Sequence, residues 1–166
     1  MDDVEARKDL FAWYGAAMYA AQLFEVELVV LLLALKRLRE PNTGPDEYET
    51  LDKLLSKKTL GALLKALEKH CKIDPKFKEL LEGYRDTRNF LAHEYFYSRA
   101  NSLMTRQGID ALTVELQEFE QQLREADTIA TKMSENVRIA SGIDEMDFQE
   151  FVASSLRKEY DLEYDT

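Results

Sequence analysis

The sequence predicts an all-α, up-and-down helical bundle of about five to six helices, in a single domain spanning residues 1–166. Three observations carry this. Apolar residues recur at helical spacing through long stretches free of proline. The three prolines fall at breaks between those stretches. No run of alternating apolar and polar residues marks a strand. At 45% hydrophobic, the chain can bury a sizeable core.

The first helix is predicted over residues 4–38, rich in alanine and leucine. Leu10, Trp13, Tyr14, Ala17, Met18 and Ala21 follow helical spacing. Residues 28–35 are apolar all round, which predicts burial on several sides, by a central position or by a second subunit. Glu25 and Glu27 interrupt the apolar stretch. At least one is expected to face solvent, and Glu25 is a candidate to point into the site described below.

Glu40, Pro41, Asn42, Thr43, Gly44 and Pro45 form a loop. Asp46 is expected to cap a short helix over residues 47–55, and Thr59 another over residues 60–70. Asp74 followed by Pro75 signals the next start, a cap and then proline at the first helical position. That helix is predicted to run from residue 75 to residue 99. Asn101 and Ser102 break it. A long helix follows over residues 105–141, with Leu112, Leu116, Phe119, Leu123, Ala126, Ile129, Ala130 and Met133 as its apolar stripe. Gly142 ends it. Asp144 is expected to cap a last amphipathic helix holding Met146, Phe148, Phe151, Val152 and Leu156, and the acidic tail over residues 159–166 to fray.

Composition narrows the setting. One cysteine, Cys71, rules out an internal disulfide and suits a reducing compartment. The N-terminus is acidic, unlike a signal peptide. The longest unbroken apolar run, residues 28–35, is far short of a membrane span. A cytoplasmic protein without a membrane role is the expectation. The net charge of -10 argues against a general nucleic-acid binder. The middle of the chain differs: residues 51–100 carry eleven Lys/Arg against seven Asp/Glu. A lysine-rich helix surface and a phosphate-attracting patch explain this equally well.

That basic stretch holds the most chemically loaded segment, residues 84–97. Asn89 and His93, four apart, share a helix face. Arg88 and Tyr95, seven apart, share a neighbouring one. Arg88 and His93 are five apart, roughly 140° around the axis, so they meet only if the long arginine swings across. Arginine offers a permanent charge with a planar fork for phosphoryl oxygens. Histidine can pass a proton near neutral pH.

Arg88 and Asn89, then His93 and Tyr95, resemble the Arg-x4-His-x-Tyr motif of the HEPN superfamily of helical bundles. The longer form is similar to that of HEPN toxins paired with a small nucleotidyltransferase antitoxin. The match covers about nine residues; the rest of the chain resembles the family in architecture only. The resemblance implies metal-independent RNA cleavage by the ribose 2′-hydroxyl, with Arg88, Asn89 and His93 catalytic. It also implies a homodimer that faces two such sets across a cleft. Tyr95 is then a target for nucleotidylation by the partner enzyme; otherwise it is a core or interface aromatic. Tyr84, Arg85 and Tyr97 are candidates to line the same cleft; the alternative is that they are simply exposed. No cofactor and no metal site is expected: His70 and Cys71 stand alone, without a second ligand pair. The alternative function is a non-catalytic module or helical regulator that binds a nucleotide or a protein.

Overall fold

Alanine and leucine at helical spacing, with no proline for 40 residues, give one helix 37 residues long, α1 (Asp3–Arg39). The computed structural model describes residues 3–71, 73, 75–140 and 142. After α1 come α2 (Pro45–Leu55), α3 (Leu60–His70), α4 (Pro75–His93), the single turn α5 (Tyr95–Ser98), a 3-10 turn (Ser102–Met104) and α6 (Arg106–Ala140). No strand occurs among the described residues. The predicted caps at Asp74 and Asp144, and the last helix, lie outside them.

The three long helices alternate in direction. α1 and α6 run the same way: Asp3 lies 3.7 Å from Arg106 near their starts, and Glu27 meets Ser134 near their ends. α4 runs back against α1, with Tyr84 packed on Phe24 and the Tyr14 hydroxyl on the Leu91 carbonyl. α2 and α3 cover the far end of α1. Ala17, Ala20 and Ala21 of α1 are fully buried, and their small side chains let neighbouring helices approach closely.

Local signals explain most boundaries. Thr59 caps α3 by accepting from the Ala62 N–H at 3.4 Å. Thr105 caps α6 through the Gly108 N–H at 3.1 Å. Gly108 is required there, because a Cβ would lie 2.1 Å from the Ser102 carbonyl oxygen. Gly142, at φ +70, ends α6 with its N–H donating to the Ile139 carbonyl.

Four expectations need correction. α2 starts at Pro45 with Gly44 as its N-cap, so Asp46 sits in the first turn instead of capping it. The helix predicted to reach residue 99 stops at His93, as discussed below. Of the two readings of residues 28–35, the central position is the one seen: Leu28, Val29, Leu31, Leu32, Ala34 and Leu35 are buried by this chain's own helices, while Val30 and Leu33 are half-buried. Neither Glu25 nor Glu27 is fully exposed; both lie against neighbouring helices. Finally, α1 is long and apolar enough to cross a membrane by length and composition, with a mean hydropathy of 1.9 over 18 residues. A run broken by Glu25 and Glu27 still passes when averaged. Half of that window is buried inside the bundle, as in a core helix.

The core falls into two clusters. One is mostly leucine, from α1, α2, α3 and α4, closed by Ala126 and Ala130. The other joins the first half of α1 to the end of α4, α5 and the start of α6, and is rich in aromatic rings.

Candidate functional site

The polar residues singled out in the sequence stand on the last turns of α4. Phe90, Leu91, Tyr95 and Phe96 would spread over about 240° of a straight helix, too wide for one buried face. A break at Glu94 (φ -127, ψ -19) resolves this. Beyond it, Phe96 packs on Phe11 and Tyr14 of α1, with ring centroids 5.6 and 4.7 Å apart. Phe90 meets Phe119 of α6 at 6.1 Å. Tyr95 lies between them, edge-on to both Phe90 and Phe96.

Polar groups fix the break. A helix end leaves its last carbonyls open. One of them, Leu91, accepts from the Tyr14 hydroxyl at 3.0 Å. Tyr95 is 1% exposed, and its hydroxyl donates to the Leu112 carbonyl at 3.2 Å. Burial, with the Glu115 carboxylate nearby, holds the Tyr95 hydroxyl well above the usual tyrosine pKa. Arg99 grips Glu115 through Nε at 3.2 Å and a terminal nitrogen at 2.7 Å, and lies over the Phe90 ring at 5.2 Å. Together these tie α5 to α6.

Arg88 turns toward α1, where its Nε is 2.7 Å from Oε1 of Glu25. The Glu25 oxygen is buried yet receives no aligned hydrogen bond, so this is a close charge contact rather than a directed bond. Each side chain stays about one-quarter exposed (26% and 24%). A terminal nitrogen of Arg88 also donates to Asn89 Oδ1 at 3.3 Å. Asn89 and His93 are exposed. His93 has no hydrogen-bond partner among the described residues.

The expected residues therefore separate. Glu25, Arg88 and Asn89 come together, with His93 one turn on and open to solvent. Tyr95 lies beneath them in the core, where its geometry fits the structural reading and keeps its hydroxyl from a modifying enzyme. Tyr84 also leaves the expected cleft: it is 6% exposed, packs edge-on to Phe24 at 5.9 Å, and burial raises its pKa. Arg85 faces the groove between α3 and α4, over Gly61, and bonds Asp86 at 2.8 Å. Tyr97 is 91% exposed.

Sequence reasoning missed Tyr14, Arg99 and Glu115 as supports of the site. The density of aromatic rings over residues 84–97 was the available signal for a packed corner there. Nothing local marked Glu115 as the partner of Arg99. Among the described residues no three His, Cys, Asp or Glu side chains gather as metal ligands would. No family model, curated protein or solved structure matches this chain.

Proposed function

We propose that the protein is a HEPN-type endoribonuclease of the toxin or phage-defence class, acting as a cytoplasmic homodimer. The observation that carries this reading is that an arginine fork, Arg88, and an exposed imidazole with no hydrogen-bond partner among the described residues, His93, stand at one helix end. In this scheme the His93 imidazole takes the proton from a ribose 2′-hydroxyl. The 2′-oxygen forms a bond to the adjacent phosphorus, and the bond from phosphorus to the 5′-oxygen breaks. The leaving 5′-oxygen takes up a proton, and a 2′,3′-cyclic phosphate remains. Arg88 holds the non-bridging oxygens as their charge builds. Asn89 orients Arg88.

Support for a dimer comes from the outer face of α1. Val4, Phe11, Tyr19 and Val26 fall within about an 80° arc, and each is more than half exposed (60%, 54%, 56% and 60%). This stripe borders the side of α1 that carries Glu25. A two-fold contact across it brings two sets of Arg88 and His93 toward one cleft. A nucleotidyltransferase-type antitoxin remains part of the proposal, but its target is better sought among exposed hydroxyls such as that of Tyr97 than at Tyr95.

The test is cleavage of total RNA by wild type and His93→Ala, with chelator present and product ends mapped. The expectation is chelator-resistant cleavage by wild type that yields 2′,3′-cyclic phosphate ends. Strict magnesium dependence with 5′-phosphate ends overturns the mechanism. Equal activity of wild type and His93→Ala favours the second reading, a non-catalytic module that binds a nucleotide or a protein. The observation behind that reading is the charge already placed against Arg88 by Glu25, on a body of net charge -10.

A further inference from the structure

Arg88 is the residue expected to meet phosphate, yet in this structure it already faces an anion. The Glu25 carboxylate comes from the opposite helix, α1, and meets no other partner among the described residues. Both contacts that hold Arg88 are poor ones. The Nε–Oε1 approach is close but lacks an aligned N–H, and the bond to Asn89 Oδ1 is long at 3.3 Å. A phosphodiester meeting the terminal nitrogens of the fork makes two aligned, charge-assisted bonds. Exchange is thus favoured on geometry, while the carboxylate opposes it by charge.

We propose that Glu25 is an internal competitor for the phosphate position: its carboxylate occupies Arg88 in the free protein and is displaced when a single-stranded nucleic-acid phosphate binds. The inference rests on the reading of Arg88 as a phosphate-binding residue. Glu25 acts through Arg88 and is a positioning residue, not a catalytic one. The consequence is a threshold: weak or isolated phosphates fail to open the pair, whereas a strand held at several points does.

The probe is a fluorescein-labelled 2′-O-methyl oligoribonucleotide, which lacks the attacking hydroxyl and so separates binding from cleavage. Its affinity is read by anisotropy for wild type, Glu25→Gln, Glu25→Gln with Arg88→Gln, and Glu118→Gln. Glu118 is exposed on α6 and controls for net charge. Glu25→Gln should bind about fivefold tighter than wild type, the worth of one partly exposed ion pair. Its log-log salt slope should match that of wild type, because Arg88 neutralises the same phosphate in both bound states. The double variant should lose the gain, and its slope should fall by about 0.7, one phosphate fewer neutralised. Glu25→Ala repeats the measurement if Glu25→Gln misfolds by circular dichroism. No tightening, no binding by either form, a gain that survives in the double variant, or an equal gain in Glu118→Gln each overturns the proposal. Cleavage of ordinary RNA by wild type is scored separately. A silent cleavage assay with a tightened Glu25→Gln therefore sinks the ribonuclease reading and leaves this one standing.

Discussion

The leucine half and the aromatic half of the core do different work. In the leucine half, Leu31, Leu60, Leu63 and Leu67 are each 2% exposed or less, and their contacts are non-directional. Such packing holds helices together without fixing any one side chain at an angle. In the aromatic half, rings carry polar handles. Tyr95 bonds the Leu112 carbonyl, Tyr14 bonds the Leu91 carbonyl, and Arg99 clamps Glu115. Directional bonds of this kind fix orientation, and here they fix the break that follows His93. Arg88 stands at the seam, reaching to Glu25 just beside Phe24 of the leucine half.

The largest expected effect tests what the aromatic half is built to hold. His93→Ala should lower RNA cleavage by about 10²–10⁴-fold while leaving the thermal melt unchanged, since the side chain is exposed and has no hydrogen bond among the described residues. A melt lowered in step with activity places His93 in the structural frame instead.

The contrast itself is tested by one truncation in each half. Tyr95→Ala should cost about 3–5 kcal/mol, and Leu67→Ala about 2–5 kcal/mol. In denaturant titrations the two overlap. In cleavage assays run well below both melts they should part: Tyr95→Ala loses activity because the break loosens, and Leu67→Ala keeps it. Equal activity in the two variants breaks the comparison.

Tyr95→Phe is milder. The ring stays and one hydrogen bond to the Leu112 carbonyl goes, so the cost should be about 1 kcal/mol by chemical denaturation. A neutral result means that the ring alone sets the corner.

The smallest effect concerns the only carboxylate of α1 facing Ser134. Burial, the largest cause, raises the pKa of Glu27 above its ordinary 4.5; the Ser134 hydroxyl opposes this, and Asp127 and Glu135 add to it. Above pH 4.5 the unfolded chain gives up this proton before the folded one does. Stability from this group is therefore present below that pH and lost as pH rises through the raised folded value. Glu27→Gln keeps an acceptor for Ser134 and removes the charge. The variant should match wild type near pH 4 and exceed it slightly at pH 7 in thermal melts. A variant that is less stable at pH 7 shows that the charge itself is needed there.

What the sequence by itself determined is what short-range physics encodes. Helical spacing gave the all-α class, proline and glycine marked the breaks, and Thr59 and Gly142 set ends through bonds to residues three positions away. The group of Arg88, Asn89 and His93 on one helix was legible for the same reason. Tertiary structure decided the rest. A uniform helical period continues through Glu94, so only the demand of four large side chains for one core reveals the break. Tyr95 and Arg88 share a face by counting, yet one is buried and the other is turned to α1, because the helix breaks at Glu94 between them. Glu25 and Arg88 are 63 positions apart, and nothing within either segment states that they meet. That contact depends on the register between two helices, which is set by the whole core at once.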